Sequence, residues 1–190
     1  MLPKILERIK AMGYPVFENG DYDINLIGVR SPNRIAGAFD DKIHMCFKID
    51  GMWQEYAFEA TTDPSEHWLK NGRSIGTAIM CGGHWKGLWA LGKHRGRYDA
   101  LVQVRPCSVY RDANKDNILD LDTSTIIKES LVGLNCHRAH SIREIEVIGP
   151  YSAGCQVIRK PSDFDLLMQF CKRQKQMRGW NHFSYTLIEE

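Results

Sequence analysis

Hydrophobic and polar positions alternate in short runs along most of the chain, and turn residues separate the runs. Alternation places every second side chain on one face, which is the pattern of a half-buried β-strand. Strands are predicted at residues 22–30, 77–80, 87–91, 100–104, 108–111, 143–149, 155–158 and 183–189. Residues 43–60 predict a hairpin, because Asp50-Gly51 stands between two alternating runs and favours a tight turn.

Helical spacing of apolar residues is confined to two segments near the ends of the sequence. Apolar residues from Leu2 to Met12 recur every three or four positions and predict a helix that ends before Gly13. A second helix is predicted over 162–174, with Ser162 as its N-terminal cap. Many short strands with two helices near the ends favour a β-rich α+β fold built on a mixed sheet.

The length and composition suit one well-packed domain. The chain has 190 residues, of which 43% are hydrophobic and 25% charged, as is typical of globular proteins. We therefore expect a single catalytic domain over 1–190, with a helical lead-in over 1–20 and a terminal helix and strand over 163–190. The formal net charge is only +2 and no basic stripe stands out, which argues against nucleic acid as a partner.

Signals for export and membrane insertion are not found in the sequence. The first seventeen residues carry charges throughout and lack the uninterrupted apolar core of a secretory signal. No apolar stretch approaches the length of a membrane span. We expect a protein that is made in the cytoplasm without a signal peptide.

Six cysteines are spaced irregularly and include no C-x-x-C pair, which argues against a zinc ribbon or a thioredoxin-like site. We expect reduced thiols, most of them small buried hydrophobic groups. Cys155 differs from the others, because Ser152 and Gly154 stand close before it and His137 lies eighteen positions upstream.

This arrangement points to nucleophilic chemistry. A catalytic cysteine reacts as its thiolate, and a histidine within hydrogen-bonding reach can lower the thiol pKa by forming an ion pair. Gly154 would permit a sharp turn before Cys155, and the backbone N–H groups of that turn could hold the oxyanion of a tetrahedral intermediate. Two neighbouring strands, one carrying His137 and one carrying Cys155, would bring the pair together.

The residues from His137 to Cys155 resemble the signature of L,D-transpeptidase catalytic domains of the YkuD type. The likeness lies in His137-Arg138-Ala139, then Ile148-Gly149, then Ser152-Ala153-Gly154-Cys155. The resemblance implies a β-rich fold and a Cys–His pair acting on peptidoglycan stem peptides. It also implies that the Arg138 carbonyl orients the imidazole and that Ser152 supports the loop.

Two positions depart from the family pattern and bear on substrate recognition. Val157 occupies a position where family members usually have Arg or Asn, and Ala153 occupies one that is often His. Arg159 is a candidate to replace the missing arginine as a ligand for a substrate carboxylate. The other residues expected to contact substrate are Ser152, His140, and His94 and Tyr98 in the loop GKHRGRY.

An acidic segment, residues 112–123, partly imitates a calcium loop. Asp112, Asn114, Asp116 and Asp120 stand at positions one, three, five and nine. Against calcium, the sixth position is Asn rather than Gly and the twelfth is Thr123, so that a solvated turn is the preferred interpretation. Zinc held by histidines is not supported by any H-x-H or H-E-x-x-H spacing. We therefore expect no cofactor, with calcium as the alternative.

The sequence thus predicts cysteine-dependent acyl transfer on peptidoglycan peptides, in a lytic role, after release or delivery to the bacterial cell wall. Whether water or an amine accepts the acyl group stays open. A non-catalytic peptidoglycan-binding module or virion component that retains the fold is the alternative. A calcium-stabilised secreted protease of another family is a third, weaker hypothesis.

Overall fold

The computed structural model describes residues 1–190 and is β-rich with three helices. The helices are α1 (Lys4–Ala11), α2 (Glu66–Asn71) and α3 (Pro161–Arg178). The strands are β1 (Asn25–Arg30), β2 (Asp41–Ile49), β3 (Met52–Thr61), β4 (Thr77–Met80), β5 (Gly83–His94), β6 (Tyr98–Gln103), β7 (Cys107–Asp112), β8 (Ile127–Ser130), β9 (Cys136–Arg138), β10 (Gln156–Ile158) and β11 (Phe183–Glu189). This architecture agrees with the predicted α+β class.

Eight strands form a closed barrel in the order β1-β11-β5-β6-β9-β10-β3-β2, and a separate sheet has the order β4-β7-β8. Two pairings in the barrel are parallel: β1 with β11, and β9 with β10. The first joins segments from opposite ends of the sequence and closes the barrel. The second brings the two segments with candidate catalytic residues side by side.

The hairpin of β2 and β3 is the longest continuous ladder in the barrel. Its turn residues, Asp50 and Gly51, both have positive φ, 50° and 74°. A two-residue turn with positive φ at both positions matches the right-handed twist of the flanking strands, which is why Asp-Gly favours it. The sequence prediction of this hairpin is confirmed.

The apolar core occupies the barrel and extends to α3. Trp89, Tyr185 and Phe47 are fully buried there, and Phe164 and Leu167 of α3 pack into the same cluster. A smaller cluster lies on the other face of β1, β2 and β11, where Ile5, Leu6 and Ile9 of α1 pack on Ile27, Cys46 and Ile188. The alternation of the strands thus provides one apolar face for the core and one for α1. No helix has both the length and the apolar character needed to cross a bilayer.

Several predicted elements differ from the structure. Residues 143–149 were predicted as a strand, but 143–148 form an irregular loop in which Ile148 is buried, and Gly149 begins a short 3-10 helix (Gly149–Tyr151). Helix α3 begins at Pro161 with Lys160 as N-cap, so that Ser162 is not the cap. The sequence predicted neither the short helix α2 nor strand β8.

Candidate functional site

Strands β9 and β10 pair in parallel, with His137 opposite Val157 and Cys136 opposite Gln156. Paired residues of neighbouring strands lie on the same face of a sheet. Cys155 directly precedes β10 and comes two residues before Val157. It therefore lies on the same face of the sheet as Val157 and His137. Cys136 belongs to the main core cluster on the opposite face, as predicted.

The imidazole of His137 is buried, and its two nitrogens have different environments. Nδ1 lies 2.8 Å from the carbonyl oxygen of Arg138 and donates to it in the neutral tautomer. Nε2 is buried and has no hydrogen-bond partner. Burial, together with the charges of His94 and Arg95, lowers the pKa of His137 from 6.5 to about 3. The ring is therefore neutral at physiological pH, and no donor bonds to the lone pair of Nε2.

His94 and Tyr98 surround this imidazole. The ring of His94 stacks on that of His137 with centroids 4.0 Å apart, and Asn135 Nδ2 lies 3.1 Å from His94 Nδ1. The Tyr98 hydroxyl lies 3.3 Å from His137 Nδ1 and 3.4 Å from the Arg138 carbonyl oxygen. These neighbours hold the ring of His137 and leave its buried Nε2 without a hydrogen-bond partner.

Cys155 is nearly buried, at 8% exposure, and its Sγ lies 3.5 Å from the carbonyl oxygen of Gly133. Burial raises the pKa of the thiol from 9.0 to about 11, and the Asn135 backbone N–H and the Arg95 charge oppose this only in part. No hydrogen bond joins Cys155 and His137. The pKa shifts run opposite to those of the expected thiolate–imidazolium pair, because burial favours the neutral form of both groups.

The turn before Cys155 is held by buried hydrogen bonds. Ser152 Oγ lies 2.7 Å from the carbonyl oxygen of Asp63 and 2.9 Å from that of Cys155, and it accepts the Gly154 N–H at 3.2 Å. Ser152 is fully buried and does not line the cavity beside His137, so its position supports the predicted bracing of the loop and gives no support to the predicted contact with substrate. The Gly154 N–H is therefore already bonded within the turn, whereas no backbone partner accepts the Cys155 N–H.

A cavity of about 470 Å³ opens beside His137. Three residues expected to contact substrate, His94, Tyr98 and His140, line it. His140 Nδ1 also accepts the N–H groups of Ile142 and Arg143, which holds the start of the following loop. Cys155 is not among the residues that line this cavity.

The cavity wall contains two arginines that the sequence analysis missed, Arg95 and Arg97, together with Arg138. The signal for them was present in the loop GKHRGRY, where they flank a glycine next to His94 and Tyr98. The prediction considered only the aromatic residues of that loop.

Arg159, the predicted ligand of a substrate carboxylate, lies outside this cavity. Its guanidinium bonds Glu59 at 2.9 Å, Glu144 at 3.1 Å and the carbonyl oxygen of Ile145 at 2.9 Å. With its donors directed to these partners, Arg159 holds the loop before β10 against β3. The predicted role in substrate binding is therefore not supported by its position.

The acidic segment forms a turn that bonds to itself. Asp112 Oδ2 accepts the Asp120 N–H, Asp116 Oδ1 accepts the Ile118 N–H, and Asn114 Nδ2 donates to Asp116 and Asp120. No group of three or more His, Cys, Asp or Glu side chains in the structure could hold a metal ion. All six cysteines are free and buried.

The lowered pKa of His137 predicts a pH-dependent stability. Between about pH 6.5 and 3 the unfolded chain binds a proton on this residue that the folded protein does not, so stability is lost as pH falls through that range. In His137→Asn the free energy of unfolding should fall less steeply below pH 6, by up to about 1.4 kcal/mol per pH unit. Urea unfolding at pH 7, 6, 5 and 4 measures this, with the exposed His67→Gln as control. Parallel curves for wild type and His137→Asn would contradict the assignment.

Comparison with protein-family models, curated proteins and solved structures gave no match to this chain. The likeness to L,D-transpeptidases therefore rests on the residues from His137 to Cys155.

Proposed function

We propose that this protein is a cysteine acyl-transfer enzyme of the L,D-transpeptidase type that acts on peptidoglycan stem peptides. One observation carries the proposal: the buried Nε2 of His137 has no hydrogen-bond partner. His137 lies on β9, which pairs in parallel with β10, the strand that directly follows Cys155. A histidine that serves only to fill a core is normally satisfied at both nitrogens. Here one nitrogen bonds the Arg138 carbonyl and the other is left free, which is the arrangement of a general base.

The proposed reaction has two steps. His137 Nε2 takes the proton of the Cys155 thiol as the sulfur attacks the carbonyl carbon of the L,D bond, while the Cys155 N–H stabilises the oxyanion. The C–N bond then breaks, the amine leaves with the proton from His137, and a thioester remains on Cys155. Water or an amine attacks this thioester and His137 accepts the proton of the attacking group. The C–S bond then breaks, and the proton passes from His137 to the sulfur and restores the thiol.

In the structure without substrate, burial opposes the proton transfer from Cys155 to His137, because it disfavours the charged form of both side chains. A substrate or water that enters the cavity beside His137 would supply hydrogen bonds to the imidazolium and reduce the cost of its charge. We therefore propose that peptide binding completes the site, with local movement that exposes the sulfur of Cys155.

Incubation with purified muropeptides tests the proposal. With tetrapeptide monomers, we expect loss or exchange of the terminal D-amino acid, detected by mass spectrometry. Cross-linked dimers and an added D-amino acid acceptor should be assayed in parallel, since they separate endopeptidase and transfer activities from hydrolysis of monomers. Absence of any covalent change in all of these assays would reject the enzymatic proposal.

The raised pKa of Cys155 and the lack of a hydrogen bond to His137 favour a second candidate, a module that binds peptidoglycan without cleaving it. The two candidates differ in a single comparison. The binding module should sediment with purified cell walls and leave their muropeptide pattern unchanged. The enzyme should alter that pattern.

A further inference from the structure

The cavity beside His137 is lined by three arginines, Arg95, Arg97 and Arg138, and by no carboxylate. Arg95 and Arg97 lie in the turn between β5 and β6, and Arg138 ends β9. The arginine salt bridges of the chain involve other residues, namely Arg30, Arg34, Arg159 and Arg178. The three guanidinium groups at the cavity are thus positive charges without an acidic partner.

Two of these arginines are placed by specific features of the fold. The guanidinium of Arg138 lies 4.5 Å from the centre of the ring of Tyr98, which lines the same cavity, and this cation–π contact restrains the arginine side chain. Arg95 has a positive φ of 49°, imposed by the tight turn it occupies with Gly96. Arg95 lines the same cavity as His137, and its charge lowers the pKa of both His137 and Cys155.

We propose that Arg95, Arg97 and Arg138 form an anion subsite that binds the terminal carboxylate of the substrate peptide beside His137. This inference rests on the proposed function for the identity of the substrate. A guanidinium presents a planar pair of N–H donors that matches a carboxylate, and several of them in one cavity also offset the cost of desolvating the anion. The subsite would bind the carboxylate in place of Val157, which has no charge, and of Arg159, which is paired with Glu59 and Glu144.

The first test requires no peptide substrate. Iodoacetate carries a carboxylate and iodoacetamide does not, so the ratio of their alkylation rates at Cys155 reports an anion subsite next to the thiol. Replacing Arg95, Arg97 or Arg138 by Gln should lower the iodoacetate-to-iodoacetamide ratio by about tenfold in at least one variant. Arg173→Gln, on the exposed face of α3, serves as the control and should leave the ratio unchanged. An unchanged ratio in all three variants would overturn the subsite.

The second test uses a stem tetrapeptide with free carboxylates and the same peptide with its C-terminus amidated. Binding to Cys155→Ala protein, measured by calorimetry, should favour the free acid by about tenfold, and Arg97→Gln should remove this preference. Equal affinities for the acid and the amide would overturn carboxylate binding. If neither peptide binds but the alkylation ratio still falls, the anion subsite stands and the peptidoglycan function fails.

Discussion

Replacing Cys155 with alanine is expected to abolish turnover of stem peptides while the barrel remains folded. Removal of the nucleophile leaves no sulfur to form the acyl-enzyme, so the rate should fall by at least about 10³-fold. The stability cost should be only about 1 kcal/mol, because the change removes one buried sulfur and only the weak hydrogen bonds of a thiol, such as the one to the Gly133 carbonyl oxygen at 3.5 Å. Muropeptide turnover measures the first effect and thermal unfolding measures the second.

Cys81→Ala is the matched control for this experiment. Cys81 is 6% exposed and Cys155 is 8% exposed, so both substitutions empty a similar volume. Cys81 does not line the cavity beside His137, so the Cys81→Ala protein should retain full activity. Full activity in Cys155→Ala, or equal loss in both variants, would contradict the assignment of the nucleophile.

Gly154→Ala is expected to destabilise the protein strongly. Gly154 has a φ of 106°, which an L-residue with a side chain adopts only under strain, and an added Cβ would meet the carbonyl oxygen of Ala78. Backbone strain and the clash together should cost about 3 kcal/mol or more. For a chain of this size, that corresponds to a Tm lower by about 10 °C, measured by calorimetry.

Gly133→Ala separates the two causes. Gly133 also has positive φ, 80°, but an added Cβ would meet no atom within 4 Å. It should therefore show the strain alone and a smaller drop in Tm. A Tm for Gly154→Ala equal to that of the wild type would mean that the turn before Cys155 is not as closely packed as the structure shows.

Local patterns in the sequence were sufficient for the elements whose structure depends on neighbouring residues. The hairpin at Asp50-Gly51, helix α1 and strand β11 are predicted close to their observed bounds, because turn chemistry and periodicity operate over a few positions. Residues 143–149 have a similar alternation but form a loop. A strand needs a partner, and alternation alone does not provide one.

The site was predictable only in part for the same reason. The motif around Cys155 drew attention to the thiol and to His137, but their burial and pKa values depend on residues from distant strands. Ser152 reaches the Asp63 carbonyl and Arg159 reaches Glu59, and both contacts join segments far apart in sequence. The residues near the motif therefore predict neither the ion pairs of Arg159 nor the cavity beside His137.

The parallel pairing of β1 with β11 joins the two ends of the chain and has a consequence for how the protein forms during synthesis. Strand β11 (residues 183–189) pairs with β1 on one side and β5 on the other, so neither of them can complete its pairing until β11 has left the ribosome. Until then both strands present open edges, which are prone to pair with other chains. A barrel that depends on a contact between segments so far apart in sequence is expected to fold slowly. The unfinished barrel would therefore be prone to aggregate until residues 183–189 are available to pair.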